Sequence, residues 1–84
     1  MYNYNTNAIL RTINELQNKI DRLEQVMSVY PFGNVNIFFY GVNGVFNGLT
    51  QNDFPFSLSN ELKIFMLESI ESMKKEQIDL HNSI

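Results

Sequence analysis

The chain has 84 residues, of which 44% are hydrophobic and 18% are charged, so it is expected to fold as one small domain over residues 1–84. With no cysteine and one histidine, the sequence excludes a disulfide framework, and we expect no metal site, no cofactor and no catalytic residues. The net charge of -3 disfavours DNA as a partner, and the lack of a long apolar run disfavours a membrane, so we expect a cytoplasmic protein.

The first predicted helix covers about residues 6–29 and carries the clearest pattern in the sequence. Its apolar residues recur at alternating spacings of four and three, which is typical of a helix that packs on another helix. Pro31 ends the run because proline has no N–H group to donate. The spacing leaves open whether the partner helix belongs to the same chain or to another. We assign these residues to an interface between copies: Ile13, Leu16, Ile20, Leu23 and Met27.

A central two-stranded antiparallel β-ribbon is predicted over about residues 34–50. Two alternating runs surround the dipeptide Asn43-Gly44, which is a strong hairpin signal. A two-residue type I′ turn at that dipeptide pairs Tyr40 with Asn47 and places the ring of Phe39 over Gly48. In this register one face, expected to rest on the helices, carries Val35, Ile37, Phe39 and Phe46. The second face carries Asn36, Phe38, Tyr40, Val42, Val45, Asn47 and Leu49.

A second helix is predicted over about residues 58–82, after a loop at residues 51–57. Ser57 or Ser59 can cap its first turn, where Glu61 is favourably placed against the positive end of the helix. Two such helices are longer than the diameter of about 30 Å expected for a compact globule of this length. The predicted fold is therefore α+β, with two long amphipathic helices flanking the ribbon in an elongated protein. Because each helix has one neighbour within the chain, we expect a homo-oligomer, either a dimer or a higher cyclic state.

The second face of the ribbon is the candidate binding site. Flat aromatic rings beside amide donors and acceptors suit a nucleobase or another planar ligand. A ligand that carries phosphate also needs cations, which a neighbouring copy could supply from its first helix. The alternatives are that the aromatic residues form the core and that the arginines are solvated. The predicted ligand-binding residues are Asn36, Phe38, Tyr40 and Asn47, together with Arg11 and Arg22.

A heptad helix, an aromatic ribbon with an Asn-Gly turn and the segment FPFSLSNELKIFMLESIESM follow one another in this chain. In this plan the whole chain resembles short accessory proteins encoded by bacteriophages. Such proteins are often counter-defence factors that act by stoichiometric binding, some by blocking a host nuclease complex and others by trapping nucleotide immune signals between subunits. The resemblance implies a non-enzymatic inhibitor that sequesters a host factor, with a small nucleotide signal slightly ahead of a host defence protein. The alternative is a protein-binding inhibitor or a structural coiled-coil adaptor.

Overall fold

A computed structural model describes residues 4–29, 35–44 and 46–84 of the chain. Helix α1 (Tyr4–Val29) is followed by strand β1 (Ile37–Tyr40), strand β2 (Phe46–Leu49) and helix α2 (Leu58–His81). The two strands form an antiparallel sheet, so the predicted α+β arrangement of two long helices and a ribbon is confirmed. The molecule measures 57 × 32 × 21 Å, and its radius of gyration is 17.6 Å. A compact domain of this length would have a radius of gyration of about 12 Å, so the predicted elongated shape is confirmed.

The ends of the helices follow local signals in the sequence. Helix α1 starts two residues earlier than predicted and ends at Val29, whereas Pro31 lies outside the described residues. The side chain of Ser57 accepts a hydrogen bond from the N–H group of Asn60 at 3.4 Å, which caps the start of α2. Of the two predicted capping residues, Ser57 is therefore the one that caps the helix. Glu61 lies in the first turn, as expected.

The core lies between the two helices, which pack against each other in antiparallel directions. Ile20 is fully buried at the centre of this seam. The other buried apolar residues are Leu16, Leu58, Met66 and Ile70. The remaining members of the α1 heptad pattern, Ile13, Leu23 and Met27, are half-buried.

The heptad stripe of α1 thus has its partner within the chain. The stripe packs on α2, which is one of the two alternatives that the spacing leaves open. Leu16 and Ile20 are buried in this seam within one chain, whereas the assignment of Ile13, Leu23 and Met27 to an interface between copies stays a prediction. An apolar stripe packs on the nearest complementary helix, and the antiparallel chain path supplies that helix at high local concentration.

Polar contacts across the seam fix how far one helix is shifted along the other. The side-chain N–H of Gln77 donates to the backbone carbonyl of Ile13 at 3.1 Å and to the side-chain oxygen of Gln17 at 3.0 Å. Nearer the ribbon end of α1, Lys74 forms an ion pair with Glu24 at 3.3 Å. A polar residue within an apolar seam specifies the helix register, because a shift would leave it without its partners.

The register of the ribbon differs by one residue from the prediction. Strand β1 pairs with β2 as Ile37 with Leu49, Phe38 with Gly48, Phe39 with Asn47, and Tyr40 with Phe46. The predicted pairs Phe39 with Gly48 and Tyr40 with Asn47 are therefore wrong. A slip of one residue moves the side chains of one strand to the opposite face of a sheet.

The turn explains the shift of register. The N–H group of Gly44 donates to the carbonyl of Gly41 at 3.1 Å, and Gly44 has a φ of 76°. No described residue other than glycine has a positive φ, so Asn43 does not adopt the left-handed conformation that a type I′ turn requires. A three-residue loop with glycine in its last position needs a single left-handed residue, which Gly44 supplies. The prediction of a type I′ turn at Asn43-Gly44 is wrong.

The glycine of β2 still lies beneath an aromatic ring. A Cβ atom built on Gly48 would lie 3.2 Å from Cε1 of Phe38. The ring that covers the bare backbone is therefore that of Phe38, and not that of Phe39 as predicted. A Cβ atom at this position would push the ring of Phe38 away by a few tenths of an ångström.

Most of the described residues of the ribbon are exposed. The extensive contacts join α1 to α2 and β1 to β2. Val35, Ile37 and Leu49 are half-buried, but Phe39 is exposed on the same face. The expectation that the face with Phe39 rests on the helices is therefore wrong for this residue.

A short connection ties the ribbon to the start of α2. Residues Gln51–Asp53 form one turn of 3-10 helix, in which the carboxylate of Asp53 accepts from the N–H group of Thr50 at 2.8 Å. The side chain of Gln51 accepts from the N–H group of Leu58 at 2.6 Å and donates to the carbonyl of Phe56. Gln51 therefore holds the loop closed at the point where α2 begins.

Candidate functional site

Three exposed aromatic residues follow one another on strand β1, and we call Phe38, Phe39 and Tyr40 the aromatic ribbon. Their exposed fractions are 52%, 55% and 77%. Aromatic residues favour extended strands, but a sheet of two strands is only marginally stable in water without further packing. The aromatic ribbon therefore combines a local preference for strand structure with side chains that are more than half exposed.

The two faces of the ribbon each combine aromatic and amide groups. Alternation along β1 places Phe38 and Tyr40 on one face with Asn36, and the pairing places Phe39 on the other face with Asn47. The prediction that Asn47 shares a face with Tyr40 is wrong, because the register differs by one residue. Each face nevertheless offers a flat ring beside a side chain that can donate and accept hydrogen bonds.

The ribbon itself carries no charge. No residue from 35 to 50 is acidic or basic, so the ribbon offers no ionic partner to a phosphate group. Arg11 and Arg22 are exposed on α1, whose extensive contacts are with α2. Within one chain the structure therefore does not bring the two arginines together with the aromatic ribbon. Their role in ligand binding remains a prediction that requires a second copy.

A shallow groove of about 510 Å³ runs between the helices. It lies where the start of α1 meets the end of α2, on the side that holds the Glu24–Lys74 ion pair. This groove was not predicted from the sequence. Its one signal is Gln77, a polar residue at the spacing of the buried stripe of α2 that lines the groove. The residues that line the groove include Leu10, Asn14, Gln17, Lys74, Ile78 and His81.

A shallow depression of about 370 Å³ lies on α2, on the flank away from that groove. It is lined by Phe65, Glu68, Ser69, Ser72 and Met73. Phe65 is 67% exposed and lies at one end of this depression, which is also lined by the small side chains of Ser69 and Ser72. A large exposed ring next to a depression is a shape that a partner surface can fill.

Exposed apolar residues outnumber buried ones in the part of the chain that the structure describes. Five apolar side chains are buried there, whereas thirteen large ones are exposed, among them Phe65 and Ile78 at 60%. Single exposed apolar residues are normal on a folded protein, but a continuous apolar surface marks a contact with a partner. The aromatic ribbon, in which three such residues follow one another, is a surface of this kind.

Within residues 4–29, 35–44 and 46–84, no three His, Asp or Glu side chains are grouped so that they could hold a metal ion. In the same ranges, neither helix is both long enough and apolar enough to cross a bilayer. Comparison of the chain with protein-family models, with curated proteins and with solved structures finds no match.

Proposed function

We propose that this chain is a non-enzymatic, homo-oligomeric binding protein that sequesters a host protein on its aromatic ribbon. The observation that supports this function is the exposure of Phe38, Phe39 and Tyr40, which are neighbours on strand β1. The setting is that of a phage-type counter-defence inhibitor in the cytoplasm of a bacterial host. In such a role the protein acts by stoichiometric binding and needs no catalytic group.

The chemistry of the ribbon favours a protein as the partner. Phe and Tyr side chains bury a large area with few rotatable bonds, so they supply contact area at a low cost in conformational entropy. Among the described residues the sheet has two strands, so each strand presents an edge to which an extended segment of another protein can add. The absence of charge from residues 35 to 50 suits an apolar partner surface better than a phosphate-bearing ligand.

A planar ligand such as a nucleotide is the second candidate. It is favoured by one observation, that Asn36, Phe38 and Tyr40 share a face of the ribbon. A base stacked on an aromatic side chain gains about 1–3 kcal/mol. Its phosphate would be held by Arg11 or Arg22 of another copy, and this ligand therefore depends on the assembly.

Native mass spectrometry of protein purified from bacterial cells tests both candidates. The preparations compared are the wild type, Tyr40→Ala, Phe39→Ala and the control Ile64→Ala, which removes an exposed apolar side chain from α2. We expect a bound species on the wild type and on Ile64→Ala, and at least a tenfold loss of occupancy on one of the ribbon variants. A tenfold loss corresponds to about 1.4 kcal/mol of binding free energy, which is typical of removing a residue that anchors an interface.

The outcome also identifies the partner and the face that binds it. A bound polypeptide supports the sequestration of a protein, and a bound mass of nucleotide size supports the second candidate. Loss with Tyr40→Ala alone places the contact on the face with Asn36, and loss with Phe39→Ala alone places it on the face with Asn47. Equal occupancy on the wild type and on both ribbon variants contradicts the proposed function.

A further inference from the structure

We propose that two copies of this chain associate through one flank of the helix pair, with α1 of each copy lying on α2 of the other. This inference rests on the homo-oligomeric part of the proposed function, and it names the surface and the symmetry of the contact. The surface is the flank of the helix pair that lies opposite the groove.

The position of this flank follows from helix geometry. Successive residues of a helix are turned by about 100°, so residues about 160° from the groove side lie across the buried stripe from it. On α1 these residues form a row that we call the α1 row: Arg11, Glu15, Lys19, Arg22 and Val26. On α2 they form the α2 row: Phe65, Glu68, Ser72, Glu76 and Asp79. All ten side chains are exposed.

The two rows carry opposite charge. The α1 row has three basic residues and one acidic residue, Glu15, whereas the α2 row has three acidic residues, with Lys75 at its edge one heptad after Glu68. Surfaces of opposite sign attract each other and disfavour arrangements that bring like charges together. The flank therefore matches a second copy of itself, provided that the α1 row of one copy faces the α2 row of the other.

The two rows also match in position along the helices. Gln77 contacts α1 at Ile13 and Gln17, so positions further along α1 lie level with positions earlier in α2. By this alignment Val26 is level with Phe65, and Arg22 is level with Glu68. Towards the other end of the flank, the α1 residue Arg11 is level with Asp79.

A two-fold axis parallel to the helices uses this match. Such an axis places the α1 row of each copy over the α2 row of the other at the same level, with neighbouring helices antiparallel, as in a four-helix bundle. Val26 then contacts Phe65 of the other copy, and Arg22 comes close to Glu68 of the other copy. A two-fold axis across the helices would instead place each acidic row on an acidic row, which like-charge repulsion disfavours.

The flank has the apolar anchor and the area that a stable dimer needs. Phe65 is the most exposed apolar side chain of α2 in the single chain. Val26, which lies beside Phe65 of the other copy in the proposed dimer, is 42% exposed in the single chain. The depression beside Phe65, which is lined by Glu68 and Ser72, receives the side chain of Arg22 from the other copy. Two helices of about 36 Å form a flank about 20 Å wide, so the contact buries about 1,400 Å² in total, within the usual range of about 1,200–2,000 Å².

Charge reversal tests this contact. The dissociation constant of the dimer is measured by sedimentation equilibrium at low salt for the wild type, Arg22→Glu, Glu68→Arg and the double variant. Each single reversal is expected to raise the dissociation constant at least about tenfold, because it opposes like charges across the contact, and the double variant is expected to restore it. The controls Lys63→Glu and Glu71→Arg make the same changes of charge on α2 outside both rows, and they are expected to leave the dissociation constant within about threefold of the wild type.

The other results overturn the inference in distinguishable ways. Dimers that tolerate both single reversals as well as the controls exclude this flank as the contact. Dimers that become tighter with a single reversal show the axis across the helices, in which the reversal removes a repulsion. A wild type that is monomeric at all concentrations overturns this inference together with the homo-oligomeric part of the proposed function, whereas either of the first two results overturns this inference alone.

Discussion

Replacement of Ile20 by alanine measures how far the fold depends on the seam between the helices. Ile20 is 0% exposed, and the change removes three carbon atoms from the centre of the core. At about 0.8 kcal/mol for each buried carbon, plus a cavity term, we expect Ile20→Ala to lower the free energy of unfolding by about 3–4 kcal/mol. The total for a chain of this length is roughly 4–13 kcal/mol, so the loss is a large fraction of the stability.

Ile78→Ala is the matched control, because Ile78 lies on a helix but is 60% exposed. Isoleucine and alanine differ in helix propensity by the same amount at both positions, so this term cancels in the comparison. We expect the control to change the free energy of unfolding by less than about 1 kcal/mol. The measurement is urea unfolding followed by circular dichroism at a fixed protein concentration. Equal effects of the two substitutions would refute the placement of the core between α1 and α2.

Three further predictions concern the turn, the ribbon register and the helix seam. Gly44→Val should lower the free energy of unfolding by about 1–2 kcal/mol, because valine is strained at a φ of 76° even though no atom lies within 4 Å of the position of its Cβ. Urea unfolding of this variant that matches the wild type would contradict the prediction. In double-mutant cycles, Gly48→Ala should couple to Phe38→Ala by about 0.2–1 kcal/mol and should not couple to Phe39→Ala, and the reverse result would restore the register first predicted from the sequence. Gln77→Ala should cost about 0.5–1.5 kcal/mol for each hydrogen bond lost to α1, and thermal unfolding unchanged from the wild type would show that these bonds do not stabilise the seam.

The elements of the fold could be predicted because each has a periodic signal. The spacing of four and three identified α1, and Ser57 marked the start of α2. The register of the ribbon could not be predicted in the same way, because the dipeptide Asn43-Gly44 fits both a two-residue loop and a three-residue loop. These two loops differ by one residue in pairing, and that single step moved Asn47 to the other face of the ribbon.

The candidate site was predicted in part for the same reason. Phe38, Tyr40 and Asn36 share a face in either register, since they lie on one strand and alternate with the other residues. The hydrogen bonds of Gln51 and Gln77 depend on how distant parts of the chain meet, and no local pattern in the sequence encodes them. The opposite charges of the two helix rows became visible only when the groove showed which side of each helix belongs to which flank.

The mass of the wild-type protein purified from bacterial cells and held under native conditions tests the central claim most directly. The central claim is that copies of this chain assemble and bind a partner on the aromatic ribbon. We expect a native mass spectrum with the mass of two chains together with an additional bound species. A spectrum that contains only the bare single chain at every concentration would contradict both the assembly and the binding.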